Sequence, residues 1–207
     1  MNEPEKHFAP ACERNQAVIL QVIQQYLRTS DKHILEIGSG TGQHAIYFGR
    51  GLPHIRWQTS DVAANHTGIN MWLHEAGLEN VLPPAEYEIG HNKWPVENTD
   101  VVFSANTVHI ISEALVKRLI LDLGENLEHG ARVMFYGPFK YQGEFTSESN
   151  AEFDLWLKDI DPLRGVRDFE SIEALMKAQG FALIEDLSMP ANNQLLLFEK
   201  TEMRKHD

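Results

Sequence analysis

The stretch His33-Ile34-Leu35-Glu36-Ile37-Gly38-Ser39-Gly40-Thr41-Gly42 decides the fold. Its first five residues read as a short buried strand, the glycine cluster as a turn, and Gln43 to Arg50 as a helix. Glycines between a strand and a helix let the backbone turn tightly, and they let a ligand approach where a Cβ would intrude. The spacing is ExGxGxG, with the acidic residue ahead of the loop; a GxGxxG dinucleotide fingerprint would need glycine at 43, where Gln43 stands. A second acidic residue, Asp61, closes the next strand 21 residues after Gly40, the position from which a carboxylate accepts hydrogen bonds from ribose hydroxyls. The plainer alternative is a glycine turn that serves backbone geometry alone.

Working outward, strand and helix signals alternate. Residues 12 to 28 carry Ile19, Val22, Ile23, Tyr26 and Leu27 on one helical face, ended by Thr29-Ser30-Asp31. Ile55 to Thr59 reads as the second strand, followed by a helix with Ile69, Trp72, Leu73 and Ala76 on one face. A third strand is expected at Ala85 to Ile89, after Pro83-Pro84, and a fourth at Asp100 to Ser104 before a helix with Val116, Leu119, Ile120 and Leu123 in register. The fifth, Ala131 to Tyr136, stops at Gly137-Pro138. Residues 138 to 168 form a long insertion rich in Gly, Ser, Asn and aromatics, expected to cap a binding site. A helix at Phe169 to Gln179, stopped by Gly180, precedes strands at Phe181 to Leu187 and Gln194 to Phe198. Their link is too short for a crossover helix, so these two must run antiparallel. The pattern predicts an α/β fold: a Rossmann-like, doubly wound, mostly parallel sheet with helices on both faces, in one domain over 1–207.

Composition limits the function classes. The chain has 207 residues, enough to bury about 70% of its unfolded surface without staples. One cysteine, Cys12, excludes an intrachain disulfide and a cysteine-built zinc site, and it reads as a small packed residue rather than a nucleophile. With 30 Asp+Glu against 18 Lys+Arg, the formal charge of -12 opposes unsteered binding to nucleic acid or an anionic membrane. No apolar run reaches the ~20 residues of a membrane span, and residues 1–6 show no basic-then-apolar leader, so the expected location is cytoplasmic. The polar ends, to about His7 and from Thr201, are expected to fray. Ten histidines include no HExxH and no i, i+4 pair, so no metal is expected.

The loop, Asp61 and the strand order together resemble a class I S-adenosylmethionine (SAM) dependent methyltransferase. More narrowly, Phe8-Ala9-Pro10-Ala11-Cys12-Glu13-Arg14-Asn15, Ser104-Ala105-Asn106-Thr107-Val108-His109, Tyr136-Gly137-Pro138-Phe139, Phe145-Thr146-Ser147-Glu148-Ser149-Asn150-Ala151, Gly165-Val166-Arg167-Asp168-Phe169 and Met189-Pro190-Ala191-Asn192-Asn193 resemble the methyltransferase-like 26 family of bacterial and animal proteins. That resemblance covers nearly the whole chain. It implies a seven-stranded sheet whose last strand is antiparallel, with SAM as cofactor. It further implies that Glu36, Gly38, Gly40 and Gly42 form the methionine end of the site, that Asp61 holds the ribose, and that Glu88 or Asn92 lies near the adenine. Where Glu88 stands, the family more often has Asp. Ala105 and Asn106 would flank the methionine amine and the reacting methyl, and Glu13-Arg14-Asn15 would fold over the pocket; read from the residues alone, that tripeptide is a first-turn segment suited to the helix dipole.

For the acceptor side, His109 is expected on the first turn of a helix, as a base for an oxygen or nitrogen acceptor or as a histidine held by the backbone. Tyr136 is expected either to hydrogen-bond the acceptor or to cap the core. Tyr141, Phe145, Glu148, Asn150 and Arg167 mix aromatics with charge, which suits a small polar molecule, and Asn192-Asn193 reads as a turn pair. The expected activity is methyl transfer to a small molecule. Competing readings are a protein or RNA methyltransferase, which the negative charge disfavours; a SAM-binding module without catalysis; and an NAD oxidoreductase, which the glycine spacing disfavours.

Overall fold

The computed structural model describes residues 6–202. The expected fraying of the ends falls largely outside that range. The chain divides into two compact units, residues 1–102 and 103–207, each taken in turn below.

The first unit opens with α1 (Pro10–Tyr26), whose proline sits where a helix has no use for an N–H and whose Ile19 and Ile23 are buried. Then come β1 (His33–Ile37), α2 (Gln43–Gly51), β2 (Arg56–Asp61), a 3₁₀ turn at Ala63–Asn65, α3 (His66–Ala76) and β3 (Val81–Glu86). The glycine loop joins β1 to α2 as expected. The apolar centre is Trp57 against Phe48, with ring centroids 5.2 Å apart, and both side chains are fully buried. Gly77, at φ +60, closes α3 with its N–H on the Leu73 carbonyl. The third strand departs from expectation: it spans Val81–Glu86, Pro83 and Pro84 included, rather than 85–89. Those prolines are tolerated because β3 is the sheet edge, and the pairing with β2 shifts register between Gln58 and Ser60.

The next strand is β4 (Val101–Ala105). The second unit continues with α4 (Glu113–Asn126), β5 (Arg132–Gly137), β6 (Phe139–Tyr141), β7 (Glu144–Phe145), α5 (Glu148–Ile160), β8 (Arg167–Asp168), α6 (Phe169–Ala178), β9 (Phe181–Met189) and β10 (Asn193–Lys200). Ser112 and Ser147 cap α4 and α5 by accepting from the N–H groups of Leu115 and Asn150. Phe135 and Phe198 pack edge to face at 6.4 Å, with Leu196 and Met176 also buried. The insertion is folded rather than irregular: β7, β6 and β8 make a small sheet of their own, and α5 buries Asn150, Asp154 and Leu157.

Seven strands form one sheet in the order β3-β2-β1-β4-β5-β10-β9. β1, β2 and β3 pair in parallel. β10, the last in sequence, runs antiparallel to both β5 and β9 and sits between them. Ala191 and Asn192, both at positive φ, turn the β9–β10 hairpin; the turn falls one residue before the expected Asn192-Asn193 pair, and Asn193 opens β10.

Candidate active site

The glycine loop is built by its own backbone and by the next strand. Gly38 and Ser39 N–H donate to the Ser60 carbonyl, both at 3.0 Å, and Gly42 N–H donates to the Ser39 carbonyl at 2.8 Å. Gly38, Gly40 and Gly42 stand at φ +73, +59 and +87. At Gly40 a side chain would meet nothing within 4 Å, whereas at Gly42 it would press on Ile69 at 3.3 Å. Gly42 is therefore a packing glycine, and Gly40, exposed and open, is the one that leaves room for a ligand.

Asp61 lies under this loop. One carboxylate oxygen accepts from Gly40 N–H at 2.7 Å, and the other accepts from Val62 N–H and Asn65 Nδ2, each at 2.8 Å. The residue expected to hold a ribose thus also fixes the loop, with one acceptor direction left over from the four a carboxylate offers. Glu36 sits deeper, 2% exposed, and accepts from Ser39 Oγ at 2.9 Å and Trp57 Nε1 at 3.0 Å. Burial raises its carboxyl from the ordinary 4.5 to about 7; the two hydrogen bonds oppose that shift and the charge of Asp61 adds to it.

The start of α1 is pinned to the same place. Gln43 Oε1 accepts from Ala9 N–H at 2.6 Å and from Thr41 Oγ1 at 3.0 Å, which is the role of the residue that breaks the dinucleotide spacing. Asn15 Oδ1 is 2.7 Å from His44 Nε2, so Asn15 ties α1 to α2, while Arg14 is exposed. Burial pushes the Cys12 thiol up to about 11, helped by the nearby Glu36, in keeping with a packed, unreactive cysteine. Glu88 and Asn92 lie in the loop beyond β3 rather than at a strand end. Asn92 Oδ1 accepts from Glu88 N–H at 2.8 Å, and the Glu88 side chain is 55% exposed. Gln43, Asn65 and Trp57 were not legible as site residues; only the missing glycine at 43 marked any of them.

In the second unit, β4 ends at Ala105, and Asn106 turns the chain at φ +59, its N–H on the Tyr136 carbonyl at 2.8 Å. His109 is not on a helix. Residues 107–111 form a turn in which Ile110 and Ile111 N–H both reach the Thr107 carbonyl, and α4 starts only after its Ser112 cap. The imidazole is 2% exposed and its Nδ1 has no hydrogen-bond partner. A side chain at Gly137, φ +156, would sit 3.4 Å from that Nδ1 and 3.6 Å from Asn106 Oδ1. Burial, then the charges of Arg167 and Arg164, lower the His109 pKa from 6.5 to about 4, so the ring is neutral at physiological pH. Tyr136 is 3% exposed, which places it in the core rather than at a wet strand end.

Most of the side chains expected to face an acceptor are engaged within the second unit. Tyr141 OH donates to Asp186 at 2.7 Å and its ring stacks on Phe169. Asn150 Nδ2 donates to Thr146 Oγ1 and to the Asn192 carbonyl, both at 2.9 Å. Arg167 donates to backbone carbonyls. Phe145 lies 5.5 Å under the Lys140 ammonium, and Glu148 is exposed at the start of α5. Among the described residues no three His, Cys, Asp or Glu converge as a metal site, and no helix is long and apolar enough to cross a membrane.

A sheet in this order with a glycine loop after β1 is the Rossmann-like fold found in SAM-dependent methyltransferases. The chain itself belongs to the family described as "Protein of unknown function (DUF938)", whose profile matches residues 6–200. Among solved structures, the S-adenosylmethionine-dependent methyltransferase SibL in its apo form is similar at a TM-score of 0.77 and 20% identity, over 93% of this chain and 56% of that one. The mitomycin 7-O-methyltransferase MmcR matches at 0.77 and 15%, over 90% and 54%. PigF with SAH matches at 0.78 and 14%, over 91% and 56%. The chain spans little more than half the length of these proteins, and at such identities the likeness is one of fold.

Proposed function

We propose that this chain is a SAM-dependent methyltransferase acting on a small-molecule acceptor, of the methyltransferase-like 26 kind. The observation that carries the reading is Gly40: exposed, in a left-handed conformation, with open space where a side chain would be, and anchored through its N–H to the Asp61 carboxylate. The site fits a cationic ligand, since the ionisable groups at the loop, Asp61 and the buried Glu36, are acidic rather than the basic cradle a phosphate would require.

In this reading Gly38 and Gly40 receive the methionine end of SAM, the remaining acceptor direction of Asp61 takes the ribose, and Glu88 or Asn92 lies toward the adenine. The resemblance assigns Ala105 and Asn106 to the methionine amine and the reacting methyl, and residues 138–168 to the acceptor. SAM supplies an electrophilic methyl group when bound. His109, neutral and desolvated, accepts the proton that an O–H or N–H acceptor gives up, while the surrounding chain excludes water. The unpaired Cys12 suits a reducing, cytoplasmic setting. Titration calorimetry of the full chain with SAM, with native mass spectrometry for carried-over SAM or its demethylated product, tests the reading; absence of both binding and carried-over ligand sinks it.

A further inference from the structure

The loop that carries His109 is held from a distance. Arg167 Nε donates to the Val108 carbonyl at 3.0 Å, and its terminal nitrogen donates to the carbonyls of Ile111 and, at 2.9 Å, Leu163. The His109 carbonyl accepts from Gly165 N–H at 3.0 Å. Segment 163–167 is anchored in turn by the buried Asp154 on α5, which accepts from Val166 N–H at 2.7 Å and from the Lys158 ammonium at 2.6 Å. Gly165 (φ +155) passes so close that a side chain there would come within 2.9 Å of the Asp154 carboxylate. One residue before Asp154, Phe153 sets its ring edge-on to the imidazole, 5.3 Å away at 78°.

His109 Nδ1 makes no hydrogen bond, so what aims the ring is the backbone beneath it and the phenyl ring beside it. We propose that Arg167 is a positioning residue for His109: by bonding carbonyls on both sides of it, one guanidinium fixes the 107–111 turn and keeps the imidazole seated against Phe153. The planar fork is what the task requires, because it reaches three carbonyls in different directions from one rigid group. A lysine keeps the charge but presents it as a single point on a flexible stem. The charged groups that bear on the ring are Arg164 and Arg167 from segment 163–167; Asp154 on α5 and Glu113 at the start of α4 act on Arg167, and Lys158 is paired to Asp154. The meaning of this device for catalysis rests on the base role given to His109 above; the geometry does not.

The test reads His109 directly, without acceptor or SAM. In the full chain with ¹⁵N-labelled histidine, the His109 ring resonances, assigned by their loss in His109→Gln, are followed against pH. The wild-type ring should stay neutral down to about pH 4. In Arg167→Lys the freed turn admits water, and the midpoint should rise by one pH unit or more toward 6.5. A pure charge effect would leave Arg167→Lys like wild type, and that result overturns the proposal. Arg167→Ala should show the larger rise, reversed in part by added guanidinium ion; a rise that guanidinium leaves untouched also counts against it. If the alanine variant fails to fold by circular dichroism, the lysine variant alone decides. SAM calorimetry on the same samples keeps the questions apart: normal SAM binding with an unmoved His109 defeats the positioning role only, and absent SAM binding with a shifted His109 defeats the methyltransferase reading only.

Discussion

The turns after β1 and after β4 do the same structural job by opposite means. Both leave a parallel strand and both use a left-handed residue, glycines at 38, 40 and 42 in one and Asn106 in the other. The first is closed by neighbours: its own backbone, Ser39 on Glu36, and Asp61 at the end of the adjacent strand. The second is closed by Arg167 and Gly165, more than fifty residues further along the chain. A loop that needs only glycine and the next strand can present bare backbone to a ligand. A loop strapped by a distant guanidinium can instead hold one side chain dry and neutral, as His109 is held.

That contrast breaks first at His109. With an acceptor in hand, His109→Asn should lower kcat by about 10²–10⁴, the range a general base contributes, while SAM affinity stays near wild type. The wild-type rate should hold as pH falls through 6.5 and decline only near 4, because the ring remains unprotonated until then. An asparagine variant with full kcat across that range would remove His109 from the chemistry.

The same contrast explains what could be read from sequence. β1, the glycine loop and α2 were legible almost to the residue because their signals are local: a short aliphatic strand, turn glycines and a helical apolar period. The antiparallel β9–β10 pair followed from a link too short for anything else. The sequence misplaces β3 because Pro83-Pro84 reads as a boundary, although an edge strand accommodates it. His109 reads as helical when the apolar period of α4 is extended back toward β4, although Ser112, a favoured N-cap followed by the acidic Glu113, marks the true start. Tyr141, Asn150 and Arg167 looked like ligand-facing groups, but their partners, Asp186, Asn192 and the carbonyls of 108 and 111, are set by the tertiary fold. The candidate acceptor side is built from such long-range bonds, and single-residue patterns do not encode them.

On the first loop the largest effect is expected from Gly40→Val. The left-handed backbone at +59° disfavours a β-branched residue by roughly 1–2 kcal/mol, and the new side chain would enter the open space assigned to the ligand. SAM affinity should fall about a hundredfold or more, or roughly 3 kcal/mol, far beyond the loss in thermal stability. Gly42→Ala makes the control: it meets Ile69, so it should lower the melting temperature with a smaller effect on affinity. If calorimetry ranks the two the other way, Gly40 is not at the ligand.

Asp61→Asn should weaken SAM by about tenfold, the loss expected for one charge-assisted hydrogen bond. An asparagine oxygen can keep the Gly40 bond while its amide nitrogen loses the bonds from Val62 and Asn65, whereas Asp61→Ala releases all three. The alanine variant should therefore lose stability as well as affinity. Equal melting temperatures for the two variants would show that the tether to Gly40 contributes nothing.

What best separates the two loops is the pH dependence of stability. Glu36 has a folded-state pKa near 7 against 4.5 for the free group. Between those values the folded chain binds the proton that the unfolded chain has lost, so ionising Glu36 costs stability as pH rises, with the full cost reached above about 7. His109 and His44 act in the opposite sense. Both are lowered to about 4, so the unfolded chain binds protons that the folded chain refuses, and stability drains away as pH falls from 6.5. Glu36→Gln keeps an oxygen to accept from Ser39 and Trp57 and leaves both histidines unchanged, so the variant minus wild-type difference isolates the carboxyl. That difference should favour the variant by on the order of 3 kcal/mol more at pH 8 than at pH 4, since each pKa unit is worth about 1.4 kcal/mol. Urea unfolding at both pH values measures it. A difference that stays constant with pH would mean that Glu36 is ionised as easily in the fold as in water, and that the carboxyl beneath the glycine loop is not held dry.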